Sequence, residues 1–356
     1  MPKSKRYIKT SFAGVNTGKG FVSLYDSVFS EEKLEGLYII KGGPGTGKST
    51  FMKRLGDRAV RRGFTVEHYL CGSDATSLDG IIINGKSGGK VGVIDGTPPH
   101  PREFRSPGAA GDILNFGMFW DSRGLREIRR EIDSLTREKS AYFDTAYRYL
   151  GAAGKIDHHL SDIAGKIYLK EKGTAAAKRL VNSVGSAGEC RYRQQSGYTM
   201  NGTSSIKPAA EPVREFVITG DKDIARQFLS DVESIIKTGG ISAEISLFPL
   251  NMRQIDSIYF PESNVWLHIG SEDDTDPEKV INMRRFTDRE TAAEYRQRLR
   301  FGRKCRESLL SGAMESLSGA RIKHFALEEI YKEYMDFDAL QTQSELWYNE
   351  ILSRLD

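Results

Sequence analysis

The sequence predicts an α/β protein: two tandem, doubly wound domains on mainly parallel sheets, each followed by a long helical tract. Three observations carry this. A strand, a glycine-rich loop and a helix follow one another between residues 37 and 62, the chain repeats itself at a shift of 177 falling to 167, and apolar residues recur at threes and fours through both later tracts. The 356 residues also exceed the roughly 100–200 typical of one domain. The expected division is 1–170, a connector over 171–212 rich in Gly, Ser, Ala and Lys, and 213–356.

Leu37, Tyr38, Ile39 and Ile40 form a short apolar run of strand character. Gly42, Gly43, Pro44, Gly45, Thr46, Gly47, Lys48, Ser49 and Thr50 follow, and Phe51, Met52, Leu55 and Ala59 then recur at helical spacing until the basic stop at Arg61, Arg62 and Gly63. This is the GxxxxGK[ST] pattern of a P-loop in its expected strand-to-helix setting. Backbone N–H groups must meet phosphate oxygens, so the loop needs residues without a β-carbon, and the positive end of the helix faces the same anion. Lys48 would reach the β- and γ-phosphates of ATP, Ser49 would ligate Mg²⁺, and Thr50 would donate toward the α-phosphate.

Thr65–Leu70 reads as the next strand, with Cys71 and Asp74 at its carboxyl end, where ligands bind in open α/β sheets. Asp74 is a candidate water-orienting base or a loop cap, and Cys71 a buried thiol. Val91–Asp95 is an apolar strand ending in an acid, with Asp95 the expected magnesium-side carboxylate. His100, in the turn after it, either makes a structural hydrogen bond or reaches the γ-phosphate. Arg102 and Arg105 are candidates for a transition-state arginine or the clamp of a small phosphorylated substrate, against the alternative of a solvated loop.

The helical tract from Leu125 to Ile163 is expected to pack on its sister around Leu309–Ile330 or to bind a protein partner, with Gly151–Gly154 as its expected break and His158 and His159 on its surface. In the repeat, Phe51 falls on Phe228, Leu55 on Val232 and Asp79 on Asp256, and further on Phe119 falls on Phe286 and Asp121 on Asp288. The loop did not survive. Opposite it stand Gly220, Asp221, Lys222 and Asp223, and a carboxylate ~4 Å from a phosphate oxygen is repelled by about 4 kcal/mol at an effective dielectric of 20. Ile269 replaces Asp95, so the second half is expected to bind no nucleotide.

A balance of 52 basic against 48 acidic residues, net +4, lacks the cationic stripe of a nucleic-acid-coating protein. With no apolar run of 18 residues, no membrane span is expected. Three separated cysteines without a CxxC pair exclude a disulfide framework or zinc site and suit the cytoplasm.

The loop with Asp95 places the chain by resemblance among the P-loop nucleoside triphosphatases. More narrowly, from about Phe12 to Phe337 it resembles an uncharacterised bacterial family of tandem P-loop proteins, through Gly14–Gly20 with Tyr25 and Asp26, Lys41–Thr50, Cys71–Asp74 with Ser77–Gly80, and Asp95–His100. The resemblance implies ATP binding on a doubly wound fold. Members tend to keep both loops, and this chain departs from them in the second. Gly96 stands where helicase and AAA+ enzymes usually carry a glutamate, and no Asn-Lys-x-Asp guanine reader is present. The expected function is therefore Mg²⁺-dependent ATP hydrolysis or γ-phosphoryl transfer in the first half only. The alternative is an ATP-dependent switch acting on a protein partner.

Overall fold

Short runs of β-branched and aromatic residues, each closed by glycine or a polar turn, alternate with amphipathic helices along the chain. The computed structural model describes residues 8–99, 101–106, 108–209, 213–271 and 276–355. The first half runs β1 (Ile8–Phe12), β2 (Gly14–Thr17), β3 (Gly20–Ser23), α1 (Tyr25–Val28), β4 (Gly36–Lys41), α2 (Lys48–Arg61), β5 (Thr65–Leu70), β6 (Leu78–Asn84), β7 (Lys90–Asp95) and β8 (Gly111–Asn115), then α3 (Ser122–Glu127), α4 (Arg129–Ile167) and α5 (Lys170–Val184). The second runs β9 (Cys190–Tyr192), β10 (Ser196–Thr199), β11 (Gly202–Ser205), β12 (Arg214–Thr219), α6 (Lys222–Gly239), β13 (Ala243–Phe248), β14 (Asn251–Phe260), β15 (Val265–Ile269) and β16 (Lys279–Asn282), then α7 (Arg289–Glu333) and α8 (Phe337–Ser353).

The strands described form three sheets. The first has the order β1-β5-β6-β7-β4-β8 and is parallel except for β6. The second repeats it strand for strand, β9-β13-β14-β15-β12-β16, with β14 reversed. The chain is thus α/β with mixed, mostly parallel sheets. The third sheet, β11-β10-β2-β3, is antiparallel and joins one hairpin from each half through Tyr198 and Asn16. Thr17 Oγ1 donates to Gly20 O at 2.8 Å in one hairpin, and Thr199 Oγ1 to Gly202 O at 2.9 Å in the other.

Residues 171–212, expected as a connector, differ from that reading. They hold most of α5, then β9 as an edge strand of the second sheet, and the β10–β11 hairpin. Ala177, Leu180, Val181 and Val184 of α5 are buried in the second core with Phe228, Leu229 and Val232 of α6. Reciprocally, Tyr348, Ile351 and Leu352 of α8 enter the first core with Phe51, Met52 and Leu55 of α2. Each half therefore closes over its sheet with a helix that follows the other half's tract.

The exchange is possible because α4 and α7 run antiparallel between the halves. Gly302 of α7 meets Leu160 of α4, Gly312 meets Tyr149, Gly319 meets Tyr142, and Lys323 pairs with Glu138 at 2.7 Å. Main-chain bonds at the two ends match. Asp121 N donates to Tyr334 O at 2.7 Å and Asp336 N to Phe119 O at 2.8 Å, while Asp288 N donates to Ile167 O at 2.9 Å and Leu169 N to Phe286 O at 2.8 Å. Gly151–Gly154 does not break α4. These small residues instead let it approach β2, where a Cβ at Gly151 would stand 3.0 Å from Gly18 O.

Candidate functional site

β4 delivers the chain to the glycine loop from the first sheet, one strand in from its β8 edge, between β7 and β8. Gly45 and Gly47 adopt φ of +70° and +86°, angles that favour glycine. Gly45 also has no room for a side chain, since its Cβ would lie 2.4 Å from the Glu328 carbonyl oxygen of α7. Thr46 Oγ1 donates to Gly43 O at 2.8 Å and tightens the turn. No side chain caps α2 and no acid lies in its first turn, so its positive end is left to an anion.

Lys48 folds back under the loop. Its Nζ donates to Gly43 O at 2.6 Å and Gly42 O at 3.4 Å, and stands 3.5 Å from Asp95 Oδ2, with only 11% of the lysine side chain and 13% of the aspartate exposed. Asp95 Oδ1 accepts from Thr97 N at 2.9 Å and from Thr97 Oγ1 at 2.6 Å, which fixes the carboxylate at the end of β7. Ser49 Oγ accepts from Leu78 N at 2.9 Å.

The loop opens into a cavity of about 810 Å³ that also admits Thr50, Asp74 and Asp79. Its far walls come from both long helices. Thr136, Lys139, Ser140, Phe143, Asp144 and Tyr147 project from α4, and His324, Leu327, Glu328, Tyr331 and Lys332 from α7, with Met200 from the second hairpin. Tyr147 donates to Asn16 Oδ1 at 2.8 Å, and Asn16 Nδ2 bonds the carbonyls of Gly72 and Tyr198, so one buried amide ties the cavity wall to both hairpins. Burial pushes the Tyr147 hydroxyl up to about 12. The Cys71 thiol is pushed well up by burial and by Asp79, so it is a poor nucleophile. A hydrogen bond from His324, at 3.4 Å, holds the Glu328 carboxyl below its usual range.

Of the residues singled out from sequence, the structure brings Gly43 to Thr50, Asp95 and Asp74 around this cavity. Asp74 is held by Thr76 N at 3.0 Å, Thr76 Oγ1 at 2.8 Å and Asn201 Nδ2 at 2.9 Å, so it caps its own loop while lining the site. Arg105 is not brought there. Its side chain is 79% exposed and lies 3.8 Å from Glu32, while its N–H donates to Glu31. Arg102 is likewise captured by Asp26 and the Phe29 carbonyl. Residues 26–32 engage both arginines, and neither lines the cavity. His100 lies outside the described residues, as do 272–275 of the acidic stretch after β15.

Sequence reasoning missed the α4 and α7 contributors. Their signal was present in the repeat, because the shift of 167 lays Thr136 on Arg303, Lys139 on Arg306 and His324 on Asp157. Those counterparts meet in the second half. There α6 starts a turn early, at Lys222, the counterpart of Gly45, and Asp221 caps it by accepting from Asp223 N and Ile224 N. Arg303 bonds Asp221 at 2.6 Å and Asp223 at 2.9 Å, and Arg306 bonds Asp223 at 2.6 Å and Asp157 at 2.7 Å. An earlier helix start and ion pairs stand where the first half has its glycine loop.

The donor set at the loop, one serine hydroxyl and one carboxylate, fits Mg²⁺, which keeps waters and takes phosphate oxygens. Among the described residues no group of three His, Cys, Asp or Glu is placed to cage a metal, and no helix is long and apolar enough to cross a membrane. Comparisons with family models, with curated proteins and with solved structures gave no match.

Proposed function

We propose that the first half binds Mg²⁺-ATP at the glycine loop, as a P-loop site does, and hydrolyses it or transfers its γ-phosphoryl group. The observation that carries this is Lys48, held at the foot of the loop between two main-chain carbonyls and Asp95, at the mouth of a cavity large enough for a nucleotide. The amides of residues 43–50 would wrap the phosphates, and Lys48 would exchange its carbonyl partners for phosphate oxygens. Ser49 and Asp95 would hold the magnesium ion, whose chemistry is to offset charge on the phosphates. Asp74, fixed by Thr76 and Asn201, would orient a water. With Arg102 and Arg105 engaged elsewhere, the transition-state arginine and the clamp for a phosphorylated acceptor both lose their basis. The three free thiols accord with a cytoplasmic setting.

A second reading, an ATP-dependent switch, is favoured by two contacts. A Cβ at Gly43 would lie 2.9 Å from the Tyr331 ring, and Gly45 abuts Glu328, so any movement of the loop presses on α7. Phosphate release from Mg²⁺-ATP tests both readings. The enzyme reading expects steady turnover by the purified chain and a loss of at least about 100-fold in Lys48→Ala, on the scale of a charged transition-state contact. Binding without turnover would leave the switch. Equal turnover in the two proteins would remove the site.

A further inference from the structure

We propose that Lys139 of α4 reads the γ-phosphate, so that the first-half cavity distinguishes a nucleoside triphosphate from a diphosphate; this deepens the ATP-site reading and rests on it. The two halves carry the same junction bonds at the same shift, so their helix positions can be compared directly. In the second half the cation at this position, Arg306, meets a permanent anion. Asp223, in the first turn of α6, is only 4% exposed and accepts from Arg306 at 2.6 Å. Burial pushes the Asp223 carboxyl up, but Arg306, Arg303 and Arg226 outweigh it and hold it below its usual range.

In the first half the matching anion is absent and the cation remains. Thr46 stands at the aligned position of Asp223, and α2 starts three residues later than α6 by the same alignment. Lys139 lines the cavity, and among the described residues no hydrogen bond or ion pair engages it. Burial, and then the nearby charge of Lys48, lower its pKa, with Glu328 opposing. Such an ammonium gains most from an arriving anion. Lys139 stands on the α4 wall and not on the loop, so it meets the part of a ligand that projects beyond the loop's own amides. With the loop's amides on the inner phosphates, a diphosphate would end within them, whereas a triphosphate would extend toward α4.

The test is calorimetric binding of Mg²⁺-ATP and Mg²⁺-ADP to wild type, Lys139→Met and Lys139→Arg, with unfolding midpoints as the check on folding. Met keeps the stem without the charge. One charge-assisted hydrogen bond corresponds to about a 10- to 100-fold change in affinity. Lys139→Met should weaken ATP binding by that factor and leave ADP within about twofold, and Lys139→Arg should recover most of it. Equal losses for both nucleotides, or no loss, overturn the inference while the nucleotide site stands. A folded wild type that binds neither nucleotide overturns the ATP reading, and this inference with it.

Discussion

Thr46 in one half and Asp223 in the other occupy the same aligned position, and the exchange of a hydroxyl for a carboxylate changes what each site can accept. Asp223 is an internal anion whose contribution to stability depends on pH. Its folded carboxyl titrates below the ordinary 3.8, so the unfolded chain takes up the proton first. The network's contribution is complete above the unfolded value and is lost as pH falls through the folded one. Urea unfolding of wild type should weaken more steeply between pH 6 and pH 3 than that of Asp223→Asn; parallel pH profiles would contradict this. In the first half, Gly45→Ala combines a left-handed φ with a clash against the Glu328 carbonyl and should cost about 2 kcal/mol in denaturant unfolding. At this scale the glycine loop was legible because its chemistry is local: nine consecutive residues state it. For Arg105 the sequence left a clamp and a solvated loop open, because its partner, Glu32, lies far from it in sequence and was set by the fold.

The elements were legible where pattern and neighbour coincide, as for β4, α2 and β7, which lie close to their expected spans. The third sheet was not, because β2 and β3 are four residues each and read only as a glycine motif. α8 is amphipathic in sequence, but nothing in it tells that its partner is the first sheet. Tyr348 is 1% exposed, stacked at 4.7 Å on Phe51 and covered by the Arg58 guanidinium at 4.5 Å. Tyr348→Ala should therefore cost about 3–5 kcal/mol, the range for a buried large aromatic, and destabilise the half 300 residues away. Denaturant unfolding measures it, and a loss below 1 kcal/mol would show that α8 does not close the first core.

The whole molecule is a duplicated unit in which two long helices cross between the halves and the last helix of each covers the other's sheet. The repeat was visible in sequence because core positions kept their spacing, but a period does not tell which copy of a helix packs on which sheet. The arrangement gives the first-half cavity walls from both copies, through the packed pair α4 and α7. One copy keeps the glycine loop, and the other has in its place ion pairs among Asp221, Asp223, Arg303 and Arg306. Titration calorimetry with Mg²⁺-ATP tests this asymmetry most directly. The account predicts one nucleotide per chain in the wild type and none at the same concentrations in Lys48→Ala. Two nucleotides per chain, or one retained by Lys48→Ala, would contradict it.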